Sequence, residues 1–182
     1  MAVKEILPGA TLGVLGGGQL GRMFCVAART MGYSVVVLDP DPASGAGQIA
    51  DVHIRADYTD QSALDDVAKQ CDVITLEFEN IPSQSVRFLS TKTTVYPAAE
   101  SLEIAQNRHR EKQFAMNAGL QPVPYFAIND SSDLEQATRD VGFPAILKSN
   151  TMGYDGKGQY VVTSMDELQT AFESMGKVGC VL

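Results

Sequence analysis

Lys148-Ser-Asn-Thr-Met-Gly-Tyr-Asp-Gly-Lys-Gly-Gln159 is the stretch that decides how this chain is read. It follows Gly142-Phe-Pro-Ala-Ile-Leu147, which reads as a turn and then a short buried strand ending on Lys148. A loop with three glycines, Gly153, Gly156 and Gly158, and a second lysine, Lys157, comes next. Glycines let backbone N–H groups crowd around an anion without obstruction by Cβ. Two ammonium groups flanking such a loop favour phosphate over most other ligands. The pattern is not a Walker A loop, because Lys157 is followed by Gly158 and not by Ser or Thr. The competing reading is a β-hairpin with Asp155-Gly156 as its turn and a solvated lysine. Lys148 at a strand end puts the phosphate reading ahead.

A second glycine cluster lies near the N-terminus. Thr11-Leu-Gly-Val-Leu15 is a short apolar run of strand type, and Gly16-Gly-Gly-Gln-Leu-Gly21 follows at once. Leu20 to Met31 then reads as a helix with Leu20, Met23, Phe24, Ala27, Ala28 and Met31 on its apolar face. Gly16, Gly18 and Gly21 satisfy G-x-G-x-x-G in a strand–turn–helix setting, and Asp39 ends the next strand, where a dinucleotide fold keeps its ribose-binding acid. That would point to NAD, but the motif alone is a weak signal. Tight packing of the first strand on the first helix explains the same glycines equally well.

The residues after those glycines argue against NAD. Gly-Gly-Gly-Gln-Leu-Gly-Arg-Met, 16–23, resembles the opening of the N5-carboxyaminoimidazole ribonucleotide synthetase family, ATP-grasp enzymes of purine synthesis. Thr75-Leu-Glu-Phe-Glu-Asn-Ile-Pro82 is similar to the family's signature at the end of the fourth strand. Gln106-Asn-Arg-His-Arg-Glu-Lys112 resembles its helix start before the ATP-grasp region, and Gly153-Tyr-Asp-Gly-Lys-Gly-Gln159 its form of the phosphate loop. Four motifs in the right order, spread over nearly the whole chain, make the resemblance specific.

The resemblance implies an activity and a site. ATP would activate bicarbonate as carboxyphosphate, the exocyclic amine of aminoimidazole ribonucleotide would take the carboxyl group, and ADP and phosphate would leave. Arg108, Lys148 and the loop Gly153, Tyr154, Asp155, Gly156, Lys157, Gly158 and Gln159 would serve ATP. Gly18, Gln19, Leu20, Glu77, Glu79 and Asn80 would help bind the ribonucleotide, and Tyr154 and Asp155 would lie near both ligands. Magnesium would accompany ATP, with its ligands beyond Leu182. The resemblance also implies a cytoplasmic enzyme, a homodimer at full length, and a chain that is an incomplete, inactive N-terminal part of it. No catalytic residue and no metal ligand is assigned within 1–182.

The fold expected is α/β. A parallel-sheet, Rossmann-like (pre-ATP-grasp) domain covers 1–97, a helical connector 98–120, and the first small α+β lobe of an ATP-grasp domain 121–182. Strands fall near 11–15, 34–38, 52–55, 73–76 and 94–96, and helices near 19–31, 61–70 and 82–90, with Pro82 in a first helical turn. Ligands of such sheets bind beyond the carboxyl ends of the strands, so the Gly16 loop, Asp39 and Glu77 to Asn80 are expected at one crevice. Ser101 is a candidate cap and Gly119 a helix stop in the connector, and Gln121-Pro-Val-Pro124 marks a boundary. Beyond it come strand 125–128, helix 132–141, strand 145–149, the loop, strand 159–163, helix 166–175 and a strand from Gly179.

Composition excludes several classes. The 182 residues are 45% apolar and carry a net charge of -8, from 14 basic and 22 acidic side chains, which argues against a general nucleic-acid binder. Cys25, Cys71 and Cys180 are odd in number and form no C-x-x-C pair, so they read as reduced core residues of a cytosolic protein. No leader and no long apolar run is present, so neither a signal peptide nor a membrane span is expected. His53 and His109, the two histidines, lack metal-ligand spacing. Arg108, Arg110 and Lys112 have an alternative as a solvated helix face. If Glu77 and Glu79 lie in a strand, they share a face; they bind ribose hydroxyls, cap the next helix, or both. Three rivals stay open: an NAD-dependent oxidoreductase, a non-catalytic nucleotide-binding module, and the formate-dependent glycinamide ribonucleotide transformylase.

Overall fold

The structure, a computed structural model, describes residues 5–153 and 158–182. The chain divides into two compact units, Met1–Glu103 and Ile104–Leu182. The first unit contains β1 (Thr11–Leu15), α1 (Gln19–Thr30), β2 (Ser34–Leu38), β3 (Val52–Ile54), α2 (Gln61–Gln70), β4 (Val73–Leu76), α3 (Ser83–Ser90) and β5 (Thr94–Val95), and the division falls within α4 (Ala99–Ala105). The aliphatic runs of β1 and β2 have no polar alternation, as expected of parallel strands covered on both faces. All described pairings are parallel, in the order β3-β2-β1-β4-β5. One face packs Leu15, Leu38, Ile74, Leu64, Val67, Val86 and Leu89 under α2 and α3. The other packs Val14, Val35 and Val37 against Cys25 and Ala28 of α1.

α1 sits rotated from its expected orientation. Its buried residues are Gly21, Cys25 and Ala28, whereas Leu20, Met23 and Met31 are about 60% exposed. The cause is close approach. A Cβ on Gly21 would lie 2.5 Å from the Gly16 carbonyl oxygen, so the helix docks through its smallest side chains. Pro82 is the N-cap of α3, one position before the first turn. The N-terminus of α2 is capped by Asp60, whose carboxylate accepts from the Ser62 and Ala63 amides at 2.9 and 3.1 Å.

The second unit contains α5 (Arg108–Asn117), β6 (Ala127–Ile128), a 3-10 turn (Ser131–Asp133), α6 (Leu134–Val141), β7 (Ala145–Ser149), β8 (Gln159–Val162), α7 (Met165–Ser174) and β9 (Cys180–Val181). The strands pair antiparallel in the order β6-β9-β7-β8. Ile128, Leu147, Val162 and Cys180 of the sheet form a core with Leu134, Ala137, Leu168 and Phe172 of α6 and α7. Ser101 is not a cap, because it lies inside α4; the cap of α5 is Asn107, whose side-chain oxygen accepts from the Arg110 amide at 3.0 Å. Gly119, at φ +84°, follows the end of α5 as expected of a stop.

All three cysteines are free and buried. Burial pushes the Cys71 thiol up to about 12 and Cys180 up to about 11, and raises Cys25 as well. At pH 8 the thiolate fractions of Cys71 and Cys180 are then about 10⁻⁴ and 10⁻³, and only thiolate attacks a disulfide reagent. A thiol titration of folded protein should therefore leave both unlabelled until denaturant is added. Native-state labelling of either at the rate of a free cysteine would contradict that burial.

Candidate functional site

In the first unit the strand register lines up three chain exits. Leu15 pairs with Leu38 on one side and Leu76 on the other. The next residues, Gly16, Asp39 and Glu77, therefore leave the sheet side by side. Strand order reverses between β1 and β4, and that switch point is where an open parallel sheet forms its ligand crevice. Gly16 turns there at φ +105°, and a Cβ on it would lie 2.8 Å from the Phe78 Cβ. Gly17 is packed equally hard, with its would-be Cβ 2.7 Å from the Ser44 hydroxyl. Gly18 differs, since nothing lies within 4 Å of its would-be Cβ. Gly18, Gln19 and Leu20 are exposed. As N-cap of α1, Gly18 provides no side-chain cap, and the first turn holds no acid. The positive end of the helix dipole thus faces outward uncompensated, suited to an anionic group.

Glu77 to Asn80 lie at the same end of the sheet. They form a bend and turn after β4, so the strand alternation that would put Glu77 and Glu79 on one face does not apply. Glu77 and Asn80 are half-buried and Glu79 is exposed.

In the second unit Lys148 and Arg108 line one cavity of about 470 Å³, together with Glu111, Lys112, Tyr125 and Ile146. Leu147 is fully buried in the core, so strand alternation turns its neighbour Lys148 to the opposite face of the sheet, toward the cavity. Arg108 opens α5, and its side chain reaches the strand that leads into the glycine-rich loop. Its Nε donates to the Ser149 carbonyl at 3.1 Å and its Nη2 to the Gly153 carbonyl at 3.2 Å. Asn150 fixes the helix start: its carbonyl accepts from the Arg108 amide at 2.9 Å and its side chain from the His109 amide at 3.0 Å. β7 and β8 form an antiparallel ladder with Lys148 opposite Gln159. Gly158, at φ +67°, leaves no room for a Cβ beside the Ser149 hydroxyl, 2.6 Å away. The hairpin and phosphate-loop readings are thus compatible, because the loop springs from a hairpin that carries Lys148. Tyr154, Asp155, Gly156 and Lys157 lie outside the described residues.

Among the described residues, no three His, Cys, Asp or Glu side chains come together as a metal site, and no helix is long and apolar enough to cross a membrane.

Residues 9–106 match the family model of the ribonucleotide synthetase preATP-grasp domain, and residues 113–182 that of the ATP-grasp domain. The chain belongs to the ribonucleotide synthetase preATP-grasp family. It is 45% identical over 172 residues to the N5-carboxyaminoimidazole ribonucleotide synthase of Pseudomonas aeruginosa, a match covering 94% of this chain and 47% of the relative. It resembles the N5-carboxyaminoimidazole synthetase of Staphylococcus aureus solved with ADP, at TM-score 0.93 and 38% identity over 98% of this chain and 48% of that one. It also resembles the Aspergillus clavatus synthase solved with ADP and 5-aminoimidazole ribonucleotide, at TM-score 0.84 and 28% identity over 94% and 45% of the two chains. The chain spans about half the length of the curated relatives it matches.

Within this preATP-grasp unit Asp39 is no free ribose acid. It is 8% exposed. Its Oδ2 accepts from the Gly17 amide at 2.6 Å and the Tyr58 hydroxyl at 2.8 Å, and its Oδ1 accepts from the Asp41 amide at 2.8 Å. In the ATP-grasp unit the solvated-face reading fits Arg110, which is exposed, but not Arg108. Lys112 instead sits over the Tyr125 ring, 5.0 Å from its centroid. Tyr58, Tyr125 and Asn150 escaped the sequence reading. Each acts on a partner 9 to 41 residues away, with no periodicity to show it.

Proposed function

We propose that this chain serves in an ATP-dependent enzyme that carboxylates 5-aminoimidazole ribonucleotide with bicarbonate, giving N5-carboxyaminoimidazole ribonucleotide, ADP and phosphate. The observation that carries the proposal is that Arg108 and Lys148, 40 residues apart in sequence, line the same cavity at the root of the glycine-rich loop. Arg108, Lys112 and Lys148 outnumber Glu111 in the lining of this 470 Å³ space, which suits the phosphates of ATP. The Aspergillus clavatus relative, solved with ADP and the ribonucleotide, supports the pairing of ligands.

The chemistry asks little of the protein beyond positioning and charge stabilisation, since ATP, carboxyphosphate and product are all anionic. Lys148 would meet the phosphates as a point charge. Arg108 would hold the loop root through Ser149 and Gly153 and turn its remaining N–H groups to ATP. Gly153, Gly158 and Gln159 would frame the loop, with Tyr154, Asp155, Gly156 and Lys157 completing it. Gly18, Gln19 and Leu20 would receive the ribonucleotide at the α1 N-terminus, flanked by Glu77, Glu79 and Asn80. Magnesium is expected with ATP, but the described residues offer it no cluster of ligands, so no step is assigned to it. A cytoplasmic homodimer is the proposed context.

The test is turnover by the full-length protein. ADP release should require the ribonucleotide and bicarbonate together. Release that depends instead on formate and glycinamide ribonucleotide would replace this function with the transformylase, and release without either acceptor would refute both.

A further inference from the structure

We propose that Asp39 and Tyr58 are positioning residues that clamp the Gly16–Gly18 turn in the arrangement that presents Gly18, Gln19 and Leu20 to the ribonucleotide. The clamp rests on the assignment of the ribonucleotide to that turn, made above. Three donors converge on the buried Asp39 carboxylate: the Gly17 amide, the Asp41 amide and the Tyr58 hydroxyl. Bonds to a carboxylate are short and strong, and the 2.6 Å contact to Gly17 is the shortest of the three. Asp39 therefore ties the end of β2 to the turn after β1.

Tyr58 extends the tie to the end of β4. Its ring lies 6.2 Å from that of Phe78, the residue whose Cβ abuts Gly16. Burial and the neighbouring Asp39 raise the Tyr58 phenol well above its ordinary range, so it remains a donor at any working pH. The loop after β2 closes the other side, where the Ala46 amide donates to the Gly17 carbonyl at 2.8 Å and Ser44 fills the space beneath Gly17. Asp39, Ala46, Ser44 and Phe78 meet the turn at Gly16 and Gly17, and nothing fills the space beside Gly18. The turn is held from behind and left open in front.

Two measurements separate the clamp from a ribose contact. In the full-length protein, Tyr58→Phe removes one hydroxyl and should raise KM for the ribonucleotide about tenfold, with kcat and KM for ATP within about twofold. Asp39→Asn should raise it further, and adding Tyr58→Phe to Asp39→Asn should then cost less than about twofold more, because Tyr58 acts through Asp39. Both variants should keep the wild-type preference for the ribonucleotide over its 2′-deoxy analogue. Loss of that preference in Asp39→Asn would make Asp39 a sugar ligand and overturn the clamp, as would an unchanged KM in Tyr58→Phe. Hydrogen exchange at the Gly17 amide of unliganded protein reads the clamp with no substrate at all. Exchange about tenfold faster in Tyr58→Phe, with unchanged circular dichroism, supports it even if the enzyme proves to act on another ribonucleotide. Unchanged exchange overturns it.

Discussion

Lys148→Ala in the full-length protein is expected to lower kcat/KM for ATP by about 10²–10³, with affinity for the ribonucleotide within about twofold of wild type. The size follows from what is lost. The ammonium stands on a strand paired on both sides, opposite Gln159 of β8 and Val181 of β9, so its root is fixed before any ligand arrives. A pre-placed charge facing phosphates needs no reorganisation as charge shifts during transfer, which makes removal of one such donor cost about 2–4 kcal/mol of transition-state stabilisation. The fold should survive, because the core of this unit is built from Leu147 and the side chains around it, not from Lys148. Steady-state kinetics at low and saturating ATP, with calorimetry for the ribonucleotide, measure both parts. An unchanged rate at both ATP levels would remove Lys148 from the site.

The sequence revealed strands better than it revealed surfaces. β1, β2, β4 and β7 stand within a residue of their expected bounds, because uninterrupted aliphatic runs between glycines and prolines have few other ways to be buried. Which face of α1 turns inward was not legible. A count of apolar residues favours Leu20, Met23 and Met31, whereas the packing is decided by the missing Cβ of Gly21. Asp39 shows the same limit at the site. Its position at a strand end suits a ribose acid, and only the three donors around its carboxylate reveal that it is already occupied. Lys148 stood out by its place at a strand end before a glycine-rich loop, and Arg108 only through the resemblance of Gln106 to Lys112 to a family motif. Their common cavity needed the fold, since it joins α5 to β7 across 40 residues of chain.

Two alanine substitutions, three residues apart, should fail in opposite ways. Gly21→Ala puts a methyl group 2.5 Å from the Gly16 carbonyl oxygen. Backbone cannot swing aside as a side chain would, so α1 must shift away from the sheet. Alanine gains about 1 kcal/mol of helix propensity over glycine, and overpacking of this kind costs about 1–3 kcal/mol or more. With a rigid carbonyl as the obstacle, the net should be a loss of about 2 kcal/mol, read as a Tm lower by about 4–8 °C for a chain of this size. Gly18→Ala should behave differently. Its φ of -67° is open to any residue, and its Cβ would meet no protein atom, so stability should stay within about 0.5 kcal/mol of wild type. The methyl group would instead occupy the open side of the turn, where the ribonucleotide is proposed to lie, and KM for it should rise about tenfold or more. Thermal unfolding and steady-state kinetics on the two variants read the contrast directly. A Gly18→Ala enzyme with normal stability and a normal KM would move the ribonucleotide away from this turn, while a fully stable Gly21→Ala protein would mean that α1 is not held against Gly16.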